Sequence, residues 1–209
     1  MTAESTLAST PTAAHVGIVL AAGGSRRLGE PKQLLRIGGE SLLQRAVRQV
    51  LETAPRALIV VLGAQAERLR DELTQWPVRI VVNADWQQGM ASSLRLAAAA
   101  TEQWPDADRL LVGVDQPALD GAHLQRLLQR AASHPGVDVL SGYAGIAGIP
   151  ALLRPDTFAL ARDLHGDHGL RALLRERATE VVEHAALAQD LDTQDDVARA
   201  RAAGELDPG

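Results

Sequence analysis

Short apolar segments alternate with longer amphipathic ones along most of the chain. The apolar segments are rich in β-branched residues, which is typical of strands buried within a sheet. They predict strands at residues 16–21, 57–62, 78–82, 110–114, 137–140 and 181–182. Between the strands, apolar residues recur at helical spacing. This spacing predicts helices at residues 41–54, 66–73, 91–102, 121–132, 158–164, 170–177 and 195–203.

Strands and helices that alternate in this way form βαβ units, whose strands run parallel. The sequence therefore predicts one α/β domain over residues 15–204, a three-layer Rossmann-like fold with a mainly parallel sheet and helices on both faces. Ser41 and Gln44 have the spacing of a capping box, which marks the start of a helix. The glycine-rich residues 141–151 predict an irregular strand or a hairpin.

The composition excludes several classes of protein. The 21 basic and 26 acidic residues give a net charge of −5, without the basic excess of a nucleic-acid-binding protein. The chain has no cysteine, which excludes disulfides, thiol nucleophiles and cysteine-ligated metals. No segment approaches the ~20 apolar residues of a membrane span, and residues 1–14 lack the pattern of a secretory signal. We expect a cytoplasmic protein with no nucleic-acid or membrane partner, with a flexible tail at 1–14 and a C-terminal tail at 205–209.

The segment after the first predicted strand carries the strongest chemical signal. Residues 20–35 read LAAGGSRRLGEPKQLL and contain three glycines and three cations, Arg26, Arg27 and Lys32. Small residues let backbone N–H groups close around phosphate oxygens, and Arg and Lys supply charge. Gly24 and Gly29 have the separation of the two P-loop glycines, but Glu30 follows where the P-loop requires lysine, so a P-loop is excluded. The dinucleotide fingerprint G-x-G-x-x-G is also absent. The alternative is a tight turn with solvated cations, one of them paired with Glu30.

Carboxylates that could bind a metal ion stand at two other places in the chain. Asp115 comes directly after the strand at 110–114, at the edge of an open α/β sheet where ligands bind. Mg²⁺ prefers one or two carboxylates together with phosphate oxygens. The alternative role of Asp115 is a turn before Pro117. Asp190 and Asp192 lie near the C-terminus, where they could either bind a metal ion or cap the last helix.

These motifs resemble a known family when they are taken together. LAAGGSRRLGEPK resembles the signature loop of the nucleotidyltransferases that form nucleotide-sugar-like products from NTPs. Three later segments resemble the molybdenum cofactor cytidylyltransferases: WQQGMASSL at 86–94, VDQP at 114–117 and LHGDHGLR at 164–171. A fourth, DLDTQDDV at 190–197, resembles the DIDTPEDL of that family. The chain departs from the family pattern at Leu28, Ile149, Gln194 and Asp195.

The resemblance implies a fold of the nucleotide-diphospho-sugar transferase type and a specific reaction. CMP would pass from CTP to the terminal phosphate of molybdenum cofactor (molybdopterin), giving the cytosine dinucleotide and pyrophosphate. Mg²⁺ would be the cofactor, and a molybdenum hydroxylase such as a xanthine dehydrogenase-type enzyme would receive the product. Ala21 and Ala22 favour CTP, because related guanylyltransferases resemble LAGG at this point.

The resemblance also implies roles for individual residues. Arg27 and Lys32 would be catalytic, Asp115 and Asp192 would hold the metal ion, and Asp167 and Arg171 would lie on the pterin side. Capping of the following helix is the alternative role of Asp167. Ser92 and Ser93 would read the base, with helix capping as their alternative role. The expected nucleotide-binding residues are Leu20, Ala21, Ala22, Gly23, Gly24, Ser25, Gly89, Ser92 and Ser93.

Two other functions are compatible with the same motifs. The first is a different NTP-dependent transfer, either from GTP to molybdopterin or from CTP or another NTP to a sugar or polyol phosphate. The second is a non-catalytic accessory protein that binds a nucleotide or the cofactor. The presence of Arg27, Lys32 and Asp115 favours an enzyme over an accessory protein.

Overall fold

A computed structural model describes residues 14–166, 169–175 and 177–208 of the 209-residue chain. Residues 1–13 of the expected N-terminal tail lie outside it. Nine strands are described: β1 (His15–Ala21), β2 (Arg36–Ile37), β3 (Glu40–Ser41), β4 (Leu58–Leu62), β5 (Arg79–Val82), β6 (Asp108–Gly113), β7 (Asp138–Tyr143), β8 (Ile146–Leu153) and β9 (Thr179–Glu183). Seven α-helices are described: α1 (Leu42–Leu51), α2 (Ala66–Asp71), α3 (Met90–Ala100), α4 (Gly121–Ser133), α5 (Pro155–Ala159), α6 (Leu170–Leu173) and α7 (Gln194–Ala202).

Seven strands form one sheet in the order β5-β4-β1-β6-β8-β7-β9. The pairs β5-β4, β4-β1, β1-β6 and β7-β9 are parallel, and β8 is antiparallel to both of its neighbours. The carboxyl ends of β1, β4 and β6 therefore meet at one edge of the sheet, which is where ligands bind in folds of this kind. The predicted α/β class with a mainly parallel sheet is confirmed.

Alternate positions along the central strands build two apolar layers, one on each face of the sheet. Val19 of β1 packs with α1, α2 and α4, whereas Ile18 packs with α3, α5 and α6 on the other face. Because successive side chains of a strand point to opposite faces, both layers need apolar residues, and β4 is buried along its whole length. These layers hold the strand ends, and hence the site, in place.

A third, smaller apolar cluster joins the C-terminal helix to the loop after β1. Leu28 of the loop packs with Leu191, Val197 of α7 and Leu206. The carboxylate of Asp207 also accepts hydrogen bonds from the two backbone N–H groups of the β2–β3 turn. Residues 206 and 207 of the predicted C-terminal tail therefore pack against the domain, because Leu206 is buried and Asp207 is hydrogen-bonded.

Most predicted elements are present with shifted boundaries, but the sequence did not predict β2 and β3, and the helix predicted at 158–164 is α5 followed by a 3-10 segment at Leu160–Asp163. The capping box of α1 forms, with Ser41 and Gln44 bonded in both directions. The glycine-rich segment is the β7–β8 hairpin, which turns at Ala144 and Gly145, both with positive φ. The helix predicted at 170–177 is wrong in length: α6 ends at Leu173, since its buried residues, Leu170 and Leu173, supply apolar contact for a single turn. No described helix is long and apolar enough to cross a membrane.

Candidate active site

The loop after β1 is held in shape by one buried glutamine. The side-chain amide of Gln33 donates hydrogen bonds to the carbonyl of Ala21 at 3.0 Å and to that of Gly23 at 2.8 Å. The next hydrogen bond runs from the backbone N–H of Lys32 to the hydroxyl of Ser25, at 3.0 Å. Gln33 therefore fixes the path of the glycine turn, a role that the sequence motifs did not reveal.

Lys32 is the only lysine in the chain, beside twenty arginines. Its ammonium lies 2.9 Å from Oδ1 of Asp192 and 3.5 Å from Oδ2 of Asp115. Burial by itself lowers the pKa of this ammonium, but the charges and hydrogen bonds of Asp115 and Asp192 outweigh that effect and raise the pKa of Lys32 above its ordinary 10.5. A fixed positive charge therefore stands between two carboxylates.

The two neighbouring arginines of the loop have different partners. A guanidinium nitrogen of Arg27 lies 2.6 Å from Oδ2 of Asp192, so Lys32 and Arg27 share one carboxylate. Arg26 instead stacks over the indole of Trp86, with 5.5 Å from its guanidinium carbon to the ring centre. Glu30 pairs with Arg201 at 3.7 Å. The alternative in which a loop cation pairs with Glu30 is thus wrong.

The acidic residues come together from two distant parts of the chain. The backbone N–H of Leu191 donates to the carbonyl of Asp115 at 3.3 Å, which brings the C-terminal motif against the residues that follow β6. Thr193 is the cap of α7, so capping by Asp190 or Asp192 is wrong. The hydrogen bond from Lys32 lowers the pKa of Asp192, whereas partial burial and the charges of Asp115 and Asp192 raise that of Asp190 to about 6.

A cleft of about 260 Å³ opens between the loop, β6 and the start of α3. Trp86 closes one side, and it leaves no room for a side chain at Gly24 or Gly63: a Cβ at either position would lie 2.6 Å from a Trp86 carbon. We name this cavity the nucleotide cleft, after the role that the sequence resemblance implies for several of its residues. It is lined by Leu20, Ala22, Gly23, Lys32, Gln33, Trp86, Gly89, Met90, Ser93, Gly113, Val114, Asp115 and Ile149.

Not every residue that the sequence assigned to nucleotide binding lines this cleft. Ala21 is buried in the layer beneath the loop, and Gly24 and Ser25 line a neighbouring depression beside Arg26. The hydroxyl of Ser92 is engaged within the protein, where it accepts from the amide of Asn83 at 2.8 Å and lies 2.8 Å from the carbonyl of Gly89. Ser93 also accepts from Asn83, at 3.0 Å, and does line the cleft. Neither serine caps α3.

A second cleft, of about 520 Å³, adjoins the first and shares Met90 and Ile149 with it. We name it the acceptor cleft, after the pterin side that the sequence resemblance implies for Arg171. Arg171, which the sequence placed on the pterin side, lines it together with Arg175. Asp167 lies outside the described residues. The cleft is lined by Met90, Tyr143, Ile146, Ala147, Gly148, Ile149, Gly169, Leu170, Arg171, Ala172 and Arg175.

The carboxylates suit a divalent cation that also binds phosphate. Asp115 and Asp192 contact the same ammonium, so they are close enough to serve one small cation. Among the described residues no group of three carboxylates or histidines could hold a metal ion. Two carboxylates leave most coordination positions to phosphate oxygens and water, which is how Mg²⁺ binds in phosphoryl-transfer sites.

Comparisons with known proteins give one matching family model and several relatives. Residues 17–183 match the model of the MobA-like NTP transferase domain. "Nicotine blue oxidoreductase" of Paenarthrobacter nicotinovorans is 35% identical over 174 residues, which cover 77% of this chain and 81% of that protein. "Probable molybdenum cofactor guanylyltransferase" of Opitutus terrae is 31% identical over 181 residues, covering 83% and 86%.

Solved structures share the fold over nearly their whole length. Rv0371c from Mycobacterium tuberculosis H37Rv superposes with a TM-score of 0.73 at 29% identity, covering 89% of this chain and 97% of that one. A second structure of Rv0371c, a complex with manganese, superposes with a TM-score of 0.71 at 27% identity and the same coverage.

Proposed function

Since the chain belongs to the family of MobA-like NTP transferase domains and is a nucleotidyltransferase, we propose that it transfers CMP from CTP to the terminal phosphate of molybdenum cofactor. One observation carries the proposal: Lys32, Arg27, Asp115 and Asp192 form a single charged cluster, and the nucleotide cleft at which it lies adjoins the acceptor cleft. A donor and an acceptor would thus be held side by side.

The reaction requires positioned substrates and neutralised charge, and it does not require a strong general base. An oxygen of the acceptor phosphate forms a bond to the α-phosphorus of CTP while the bond from that phosphorus to the β-phosphate oxygen breaks, and pyrophosphate leaves. The acceptor phosphate is already anionic at neutral pH. Lys32 and Arg27 offset the negative charge that grows on the leaving pyrophosphate. When triphosphate enters, it would compete with Asp115 and Asp192 for these two cations.

Once the triphosphate has displaced Asp115 and Asp192 from the cations, the two carboxylates could bind a metal ion. We propose that this ion is Mg²⁺. Asp115 and Asp192 would hold it, and when bound it would neutralise charge on the triphosphate. The manganese complex of Rv0371c supports a divalent cation in this family. The relative from Opitutus terrae supports molybdenum cofactor as the acceptor.

The preference for CTP rests on the loop sequence Ala21-Ala22. The side chain of Ala22 lines the nucleotide cleft, whereas guanylyltransferases resemble LAGG here and would leave more room for a purine. The name of the Opitutus relative points to GTP for that protein. The name of the Paenarthrobacter relative indicates redox chemistry for that protein, whereas cations and carboxylates beside a cleft favour phosphate transfer here. A recipient molybdenum hydroxylase stays a prediction from the resemblance, and a cytoplasmic location stays a prediction from the sequence pattern.

The test is pyrophosphate release with molybdenum cofactor and each of the four NTPs in the presence of Mg²⁺. We expect kcat/KM for CTP to exceed that for GTP by at least ~10-fold, about 1.4 kcal/mol. Equal values or a preference for GTP would overturn the cytidylyl assignment. Pyrophosphate release with a sugar or polyol phosphate but not with the cofactor would show that the protein uses a different acceptor. Binding without release from any pair would identify an accessory protein.

A further inference from the structure

The acceptor cleft has an unusual combination of side chains. Its walls are formed by Met90, Tyr143, Ile146 and Ile149 together with alanine, leucine and backbone glycine. Met90 and Ile146 are each 45% exposed, so two of the five large apolar side chains that the described structure leaves exposed stand at this rim. Exposed apolar groups that converge on a concavity indicate a ligand site rather than ordinary surface.

The charged side chains that line the acceptor cleft are both cations. Arg171 and Arg175 are four positions apart and both line the cleft. Among residues 14–166, 169–175 and 177–208, no carboxylate lies within ion-pair distance of either guanidinium, whereas Arg27, Arg177 and Arg201 each have one. Unpaired guanidinium groups beside an apolar wall are suited to an anionic ligand, which they bind with paired N–H donors.

Tyr143 connects this cleft to the charged cluster. Its hydroxyl donates to the carbonyl of Ile149 at 3.1 Å, and Ile149 lines both clefts. Burial raises the pKa of Tyr143 and a hydrogen bond with Gln116 lowers it; among the charges, Asp190 and Asp115 raise it and Arg171 lowers it. Since Arg171 lines the acceptor cleft and Ile149 lines both clefts, a ligand held by Arg171 would reach the edge of the nucleotide cleft.

We propose that Arg171 and Arg175 form an anion clamp that determines which acceptor binds, with Arg175 as an affinity determinant outside every recognised motif. The clamp with its apolar walls selects an anionic molecule that presents a flat ring to Met90, Tyr143 and Ile146. This assignment rests on the proposed function, and it specifies the acceptor class by the chemistry of the walls.

The same walls select against sugar and polyol phosphates. Apart from the phenol of Tyr143 and the two arginines, no hydrogen-bonding side chain stands among the described residues that line the cleft. Sugar hydroxyls beyond the reach of these three side chains would lose water without gaining side-chain partners, which costs about 1–3 kcal/mol for each group left unsatisfied. A flat heterocycle loses little by burying its faces, and a methionine and an aromatic ring both pack well against it.

The experiment measures binding of pterin-6-carboxylate, a fluorescent flat anion, by quenching of its emission. We expect Arg175→Ala to weaken binding at least ~10-fold and Arg175→Lys to recover part of the loss, since lysine keeps the charge but not the paired donors. Glucose 1-phosphate should compete at least ~10-fold less well than unlabelled pterin. Arg68→Ala is the matched control, because Arg68 is an exposed arginine of α2 that lines neither cleft.

A methylene-bridged CTP analogue separates the two clefts. Its affinity should be the same in wild type and Arg175→Ala; an equal loss for analogue and pterin would overturn the assignment to the acceptor side. Failure of wild type to bind the pterin, wild-type binding by Arg175→Ala, or equal competition by glucose 1-phosphate would each overturn the clamp. Pterin binding that depends on Arg175 without any pyrophosphate release from CTP would overturn the proposed function and leave the clamp intact.

Discussion

The ammonium of Lys32 lies 2.9 Å from Oδ1 of Asp192, although 160 positions separate the two residues along the chain. Arg27 reaches the other oxygen of the same carboxylate at 2.6 Å. The C-terminal motif therefore closes onto the loop after β1, and the side-chain amide of Gln194 adds a 3.3 Å hydrogen bond to the carbonyl of Leu28. The site is completed only when α7 has packed.

Removal of the Lys32 ammonium should abolish most activity. We expect Lys32→Ala to lower kcat for pyrophosphate release by at least ~100-fold, about 2.7 kcal/mol of transition-state stabilisation. Asp115 and Asp192 would then face each other without a cation between them. Lys32→Arg keeps the charge, but its planar guanidinium fits poorly into a position where the lysine side chain is only 14% exposed, so we expect partial recovery. Wild-type turnover in Lys32→Ala would contradict the assignment.

The single lysine also makes its pKa directly measurable. Reductive methylation with ¹³C-formaldehyde would label Lys32 and the terminal amine, and an NMR titration would follow each resonance separately. We expect the dimethylated Lys32 to titrate at a higher pKa than the same group in the unfolded chain, since Asp115 and Asp192 favour its charged form. Asp192→Asn should lower that pKa. A lower pKa in the folded chain than in the unfolded one would show that burial dominates.

The two loop arginines should differ sharply in their effect. Arg27→Ala should lower turnover by at least ~100-fold, since Arg27 joins Lys32 at Asp192. Arg26→Ala should have a much smaller effect, because its guanidinium stacks on Trp86. Kinetics of pyrophosphate release for both variants test this pair. The assignment within the loop is wrong if Arg26→Ala is the damaging change and Arg27→Ala is mild.

The carboxylates should differ in their effect on the metal requirement. Asp115→Asn should raise the Mg²⁺ concentration needed for half-maximal pyrophosphate release, with some activity restored at high Mg²⁺, because Asn retains one ligand oxygen. Asp192→Asn should show the same pattern more weakly, and Asp190→Asn should show neither effect. Circular dichroism would establish that each variant is folded. If Asp115→Asn titrates like wild type, the metal site lies elsewhere.

His123 should make the fold less stable in mild acid. Its ring is fully buried, 2.7 Å from the hydroxyl of Ser141, and burial followed by the charges of His184 and Arg126 lowers its pKa to about 4. The unfolded chain binds a proton near the ordinary 6.5, so the stabilisation is complete above pH 6.5 and is lost as the pH falls toward 4. From pH 7 to pH 5 this should remove about 2 kcal/mol from the free energy of unfolding.

Urea denaturation at the two pH values measures this effect. His123→Gln should lose less stability than wild type between pH 7 and pH 5, even if it is less stable at pH 7. His165→Gln is the control, since His165 is exposed. An unchanged pH difference in His123→Gln would show that other groups cause the acid sensitivity.

The sequence by itself determined the fold class and the chemical character of the site. Strands of a parallel sheet that is buried on both faces are continuous apolar runs, and such runs can be recognised from the local sequence. The strands β1, β4 and β6 could therefore be located to within a few residues. The capping box of α1 is equally local, because Ser41 and Gln44 are neighbours on one turn. The glycines and cations of the loop after β1 likewise stand together in the chain, and so they indicate phosphate binding without a structure.

Tertiary structure decided which of these groups act together. The partners of Lys32, Arg26 and Glu30 lie far away in sequence, and only packing of α7 and of the segment with Trp86 selects among them. The same packing buries Leu206 and points the Ser92 hydroxyl into the protein. Arg175 and Gln33 belong to no motif that indicates their place. Contacts of this kind depend on how distant segments meet, which the spacing of residues along a chain does not record.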